Sequence, residues 1–271
     1  MTVAKANPAL GQPEVGQNGS DNPALNERAF QRGLENVNVN DRGMTAVGAY
    51  LKALILLAVL VVAAGFGWSQ VEIISVAGRE IAIPPAWTWL AFLLTFILGV
   101  AGVFAYRVIP LVAIGYALCQ GALLGISSRY FNLAFDGIVL QAVLTTVSVF
   151  GATLLLYLFG VIKVSSRLVT GIVVAIGGLL MLYFVAWIFF LFGVRFRFLT
   201  EPTPLGIAFG LGVVLLAALS LPLDFEFIRR AAARGAPKFM EWYGAYGLML
   251  SIIWMYVSIL RLLALLRMRR R

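Results

Sequence analysis

The sequence predicts an all-α polytopic membrane protein with seven transmembrane helices, and three observations lead to this fold class. Of the 271 residues, 61% are hydrophobic and only 12% are charged, against about 25% charged in an ordinary soluble domain. The mean hydropathy is +0.94. Seven apolar runs follow a polar N-terminal stretch, and each is close to the roughly 20 residues that a helix needs to cross a bilayer. We therefore expect a multi-pass protein embedded in the lipid bilayer.

The first 47 residues are rich in Asn, Gly, Gln and Pro and show no apolar periodicity. This composition predicts a disordered tail over 1–47. The motif NPAL occurs in it twice, at 7–10 and 22–25, and could bind a partner, give a protease a grip, or be a compositional repeat without function. No cleavable signal is evident, because the first apolar run begins too far from the N-terminus.

The connections between the apolar runs are short, so most helices are expected to pack against their sequence neighbours. Only the first connection, 69–85, is long enough for local structure, and its segments VEIISV and IAIP predict a small hairpin outside the membrane. Small residues at a four-residue spacing, Gly121 with Gly125 and Gly206 with Gly210, mark expected helix contacts. The predicted spans are 48–68, 86–106, 109–128, 137–161, 168–193, 205–228 and 241–266.

The distribution of Lys and Arg in the short flanks predicts the orientation. Ten of these residues flank the runs on the side of the N-terminus and four on the other side, so we expect a cytoplasmic N-terminus. An odd number of spans then places the basic C-terminal tail, 267–271, outside, against the same rule. Either this tail tolerates export or the last run does not fully cross.

Several classes of function are disfavoured. The net charge of +9 does not indicate nucleic acid, because the basic residues lie in short segments between apolar runs rather than on one surface. Cys119 is the single cysteine, and histidine, the commonest transition-metal ligand, is absent. Without a histidine base, a paired-aspartate motif or a lysine in the seventh run, we expect no enzyme and no bound cofactor.

Asp224 is the leading candidate for a functional residue. It follows an apolar run that begins at Leu205, and hydrocarbon offers a carboxylate neither water nor a general supply of hydrogen-bond donors. The alternative is that Asp224 lies at the membrane interface and faces headgroup water as an anchor.

The neighbours of Asp224 strengthen the functional interpretation. Glu226 has Arg229 and Arg230 three and four residues downstream, the helical spacings at which opposite charges meet. At the same offsets from Asp224 lie only apolar residues, so its partner must come from another helix.

The predicted topology brings Asp224, Glu226, Glu241 and Arg107 to the cytoplasmic side. Glu241 lies in the first turn of the seventh helix, where the helix dipole alone would favour an acid. Pairing with Arg107 would favour the charged form of Asp224, whereas separation in a buried site would favour the neutral form. A proton could therefore bias the protein between two conformations.

Four segments together resemble one known family. LPLDFEFI at 221–228, GAPKFMEWYGAYGLMLSIIWMYVSILRLL at 235–263, GIVLQAVLTT at 137–146 and the NPAL tail are similar to the Bax inhibitor-1 family, specifically its bacterial YccA-like branch. The resemblance runs over essentially the whole membrane domain. It implies a seven-helix fold in the bacterial inner membrane, with the last helix central between two layers of three.

The resemblance also implies a pH-sensitive calcium leak. In the family members characterised as channels, a carboxylate late in the sixth helix shares a proton with a second one, ten residues before the arginine of an LRLL-like motif. An arginine near the end of the second helix latches to them. Asp224 matches the first carboxylate by motif and Arg107 the arginine by position. Counting ten back from Arg261 gives Ser251, so Asp224 would titrate alone unless Glu226 or Glu241 substitutes.

These arguments predict a calcium or cation leak channel gated by protonation of Asp224. Calcium prefers six to eight oxygen ligands, so Asp224 is expected to be a weak, transient calcium ligand rather than part of a storage site. The alternative is a non-conducting regulator or partner of a membrane-anchored ATP-dependent protease, with which YccA-like relatives are associated and which could engage the N-terminal tail. The sequence leaves the oligomeric state open.

Overall fold

Seven long helices and one β-hairpin form the fold in the computed structural model, which describes residues 43–76, 79–104, 108–194 and 196–270. A one-turn helix, Arg197–Thr200, precedes the sixth long helix. The long helices are α1 Ala46–Ser69, α2 Thr88–Phe104, α3 Ile109–Ala134, α4 Ile138–Leu158, α5 Ser166–Leu191, α6 Pro204–Ala233 and α7 Met240–Arg270. Each of the seven predicted apolar runs therefore corresponds to one of these helices.

The predicted hairpin between the first two runs is confirmed. Strands β1, Glu72–Val76, and β2, Arg79–Ile83, pair antiparallel. The register places Glu72 opposite Ile83 and Val76 opposite Arg79. The hairpin thus occupies the long connection between α1 and α2.

Six of the described helices, α1 and α3 to α7, are long and apolar enough to cross a membrane. The run predicted at 86–106 forms α2, an apolar helix described over 17 residues. This arrangement is consistent with a polytopic membrane protein, and the seventh crossing remains a prediction.

Side-chain caps explain where several helices begin. The Thr45 hydroxyl accepts a hydrogen bond of 3.0 Å from the backbone N–H of Gly48 at the start of α1. At the start of α6 the Thr203 hydroxyl accepts an equal bond from Gly206, and Pro204 occupies the first turn. Threonine is a favoured capping residue, and the missing N–H of proline costs nothing at this position.

The last helix, α7, holds a central position among the described helices. It packs against α1, α3, α4 and α6. Met249 and Met255, 0% exposed, lie on this helix within the main hydrophobic core. This central position is the one that the family resemblance implied for the last helix.

Small residues let α1 and α3 approach each other closely, as the spacing of Gly121 and Gly125 predicted. A Cβ added at Gly125 would collide with the backbone of Ala64, and one added at Gly121 would collide with the backbone of Leu60. The second predicted pair behaves differently. Gly210 faces α7, whereas Gly206 packs against the segment that precedes its own helix.

The ends of the bundle differ from the predicted boundaries. Residues 43–47, assigned to the tail by composition, belong to the folded part. Helix α1 begins at Ala46. Met44 is buried, and its backbone N–H donates to the carbonyl oxygen of Ala236 at 2.7 Å. The rest of the predicted tail, with both NPAL motifs, lies outside the described residues. At the other end α7 continues through Arg270, so most of the predicted basic tail is helical.

Candidate functional site

Asp224 lies on α6, nine residues before the helix ends at Ala233, which corresponds to about 14 Å along the axis. Its Oδ2 atom is buried and has no hydrogen-bond partner among the described residues. An anchoring residue would present both carboxyl oxygens to water. Asp224 as a whole is half-buried, and the burial of Oδ2 favours a functional acid over an anchoring one.

The polar group beside Asp224 comes from another helix, as predicted. The Ser251 hydroxyl on α7 lies beside the Asp224 carboxyl group. It does not donate to Oδ2, which has no partner in the described part of the chain. Ser251 lies 11 residues after the start of α7 at Met240, or about 16 Å along the axis. The position matched to the second family carboxylate thus faces Asp224, and it carries a neutral hydroxyl.

Arg107, the predicted latch for Asp224, lies outside the described residues. Its pairing with Asp224 therefore remains a prediction. None of the contacts that surround Asp224 in the described part of the chain involves a cation.

Glu226 is buried and fully paired, mostly with its own helix. Arg229 donates to it through Nε and Nη2 at 2.9 and 2.7 Å, and Arg230 donates through Nε at 2.6 Å. These bonds confirm the local pairing that the spacing predicted. The Tyr157 hydroxyl on α4 adds a bond of 2.6 Å, so Glu226 also ties α6 to α4.

Glu241, at the start of α7, is the most buried acid in the described residues, with 1% of its surface exposed. It forms salt bridges with Lys52 of α1 and with Lys238, the latter at 2.7 Å. The backbone N–H and hydroxyl of Thr45 donate to it at 2.9 and 3.0 Å. The helix dipole alone would not call for so many partners. Through Thr45 and Lys52, Glu241 joins the beginning of α1 to the beginning of α7.

The three acids therefore differ in how their charge is compensated. Glu226 and Glu241 are each held by two cations, and neither bonds to Asp224. No group of three or more Cys, Asp or Glu side chains comes together within the described ranges. Asp224 can consequently offer a passing cation one carboxyl group and the Ser251 hydroxyl, far fewer oxygens than a tight calcium site uses.

Sequence reasoning missed four partners of these acids: Thr45, Lys52 and Lys238 at Glu241, and Tyr157 at Glu226. Lys52 is the one lysine within the first apolar run, and an ionisable residue in such a run is itself a signal for a buried partner. Tyr157 gave no comparable signal, because an aromatic residue near a helix end is common in membrane proteins.

Comparison with known proteins supports the resemblance at the level of the family, and the YccA-like branch remains a prediction. The model of one family, described as Bax inhibitor 1 like, matches residues 13–268. No curated protein and no solved structure matches the chain. The family match extends from the N-terminal stretch through the first six long helices and into α7 as far as residue 268.

Proposed function

Because the chain belongs to the Bax inhibitor 1-like family, we propose that it is a pH-sensitive calcium or cation leak channel of the bacterial inner membrane. We place it in the YccA-like branch and assign gating to protonation of Asp224. One observation carries this proposal: Oδ2 of Asp224 is buried without a hydrogen-bond partner in the described residues, next to Ser251 of the central helix.

The proposed gating follows from the free energy of a buried charge. A buried carboxylate oxygen that lacks a donor is costly, and taking up a proton removes much of that cost. Protonation also changes the hydrogen bonding between the carboxyl group and the Ser251 hydroxyl. A carboxylate can only accept, whereas a protonated carboxyl group can also donate. Proton occupancy of Asp224 would therefore bias how α6 packs against α7, and a difference in stability between two such packings shifts their populations.

The same residue would bind the permeating cation weakly. With one carboxyl group, the Ser251 hydroxyl, backbone carbonyls and water, the pathway offers calcium brief contacts and no storage site. Because a proton and a calcium ion compete for the same oxygens, we expect calcium binding to weaken as the pH falls.

The paired acids would supply a fixed frame for this movement. Glu226 joins α6 to α4 through Tyr157, and Glu241 joins α7 to α1 through Lys52 and Thr45. We propose that Arg107 latches to Asp224 when that residue is charged. We place both residues toward the cytoplasmic side of the membrane, where the positive-inside rule puts Arg229, Arg230 and Lys238.

The decisive experiment measures calcium flux into liposomes across a pH series. The protein with Asp224→Asn is expected to lose the pH dependence that the wild-type protein shows. Asp136→Asn is the matched control, because Asp136 is an exposed acid with the same chemical change, and it should keep the wild-type profile. An unchanged pH profile in Asp224→Asn would overturn the proposal.

A second candidate function, a partner of a membrane-anchored ATP-dependent protease, is favoured by the anchoring of the first described residues. Met44 bonds to the α6–α7 connection and Thr45 to Glu241, so the first described residues are fixed to the helix bundle. Deleting residues 1–40 separates the two functions. The leak should survive the deletion in liposomes, whereas association with the protease should be lost.

A further inference from the structure

Arg261 lies on α7, twenty residues after Glu241, and so about 30 Å farther along the helix axis. Its guanidinium donates through Nη1 to the Tyr183 hydroxyl at 2.9 Å and through Nη2 to the carbonyl oxygen of Leu199. Both acceptors are neutral. None of the ion pairs within the described ranges includes Arg261, so its charge is uncompensated there.

A cavity of about 760 Å³ adjoins this guanidinium, within the size range of pockets that hold small organic ligands. Apart from Arg261 and Tyr183, its lining is apolar and partly aromatic, and it includes Phe131, Trp187, Phe190 and Met268. The cavity lies between α5 and α7. Because α5 packs mainly against α6, it leaves this space open beside α7.

The mouth of the cavity is on the surface that faces the lipid. Trp187 and Phe190 line it and are 57% and 53% exposed. Along α5 these residues continue a surface of exposed apolar side chains, as expected for a helix in contact with acyl chains. A molecule can therefore enter the cavity sideways from the bilayer.

We propose that this cavity binds an anionic membrane lipid, with its phosphate on Arg261 and an acyl chain along the apolar wall between α5 and α7. A guanidinium has five N–H donors and pairs well with phosphate oxygens, and two of its nitrogens already hold it in position. The phosphate supplies the negative charge that the described surroundings of Arg261 lack. The apolar wall packs against the methylene groups of the acyl chain.

A lipid fits this site better than a soluble anion does. A free phosphate would use Arg261 and Tyr183 and leave the apolar lining empty. A zwitterionic lipid would fill the lining but would bring a cation close to Arg261. The combination of one uncompensated guanidinium with a long apolar wall favours a lipid of net negative charge.

The test is native mass spectrometry of the full-length protein with phosphatidylglycerol or phosphatidylcholine of identical acyl chains. We expect the protein to retain phosphatidylglycerol preferentially and Arg261→Gln to lose the preference. Arg167→Gln is the control, because it removes an exposed arginine from the other end of α5, and it should keep the preference. Excess inorganic phosphate should not displace the lipid, and full displacement would overturn the assignment to a lipid.

A second variant tests the volume of the cavity and leaves Arg261 in place. Ala186 lines the cavity from the lipid-facing helix α5, so Ala186→Phe should narrow the space beside Arg261 without changing the charge. We expect this variant to lose bound phosphatidylglycerol while Arg261 is still present. Wild-type retention by Ala186→Phe would overturn the proposal.

Discussion

A Cβ atom on Gly48 would lie 2.5 Å from the carboxylate of Glu241, closer than side-chain carbons approach other atoms in proteins. The acid at the start of α7 therefore rests directly on the backbone of α1. Lys52, one turn farther along α1, closes the same contact with a salt bridge. The glycine at position 48 thus makes room for the carboxylate that joins the two helices.

The first prediction concerns this contact. Gly48→Ala should destabilise the protein by about 1–3 kcal/mol, the usual result of forcing an extra carbon into a packed contact. Gly65→Ala, in the same helix but with open space around it, should be neutral or stabilising by up to about 1 kcal/mol, since alanine is the better helix former. Thermal unfolding in detergent measures both, and equal shifts in Tm would show that Gly48 is not in close contact.

The second prediction concerns the charge of Glu241. Glu241→Gln leaves Lys52, whose side chain is 18% exposed, without its anion, and removing one member of a buried ion pair typically costs about 3–5 kcal/mol. Glu201→Gln is the control, because its partner Arg197 is 79% exposed and such pairs contribute roughly 0–1 kcal/mol. Chemical unfolding in micelles should therefore separate the two variants clearly, and similar midpoints would argue against a buried pair.

The sequence was most informative where partners are close along the chain. The pairing of Glu226 with Arg229 and Arg230 follows from helical spacing alone, and the hairpin follows from its two short segments. The bonds from Tyr157 to Glu226 and from Lys52 to Glu241 span 69 and 189 positions. No local sequence pattern identifies partners so far apart along the chain, because such contacts depend on how the helices pack.

The third prediction tests the bond from Tyr157. Tyr157→Phe removes the hydroxyl donor from Glu226, which keeps both arginines, so we expect a loss of about 1.5–3 kcal/mol, the usual contribution of a hydrogen bond to a charged group. Tyr130→Phe is the matched control, since Tyr130 is 37% exposed and its hydroxyl forms no bond within the described residues. The measurement is the midpoint of thermal unfolding, and a larger loss in the control would contradict the assigned role.

The fourth prediction introduces a second acid at position 251, where the family resemblance implies one. Ser251→Asp would place a second carboxyl group beside Asp224, and two interacting acids release their protons in two separated steps. Calcium flux in liposomes should then change in two steps across the pH series, whereas Ser251→Ala should keep a single step. A single step in both variants would mean that residue 251 is not coupled to Asp224.

The backbones of α1 and α3 touch through Gly121 and Gly125, whereas α5 buries only Ile172 among its described side chains and packs mainly against α6. One wall of the protein is therefore stiff and the other compliant. We therefore expect lateral pressure or thinning of the surrounding membrane to displace α5 before it separates the glycine-lined pair α1 and α3.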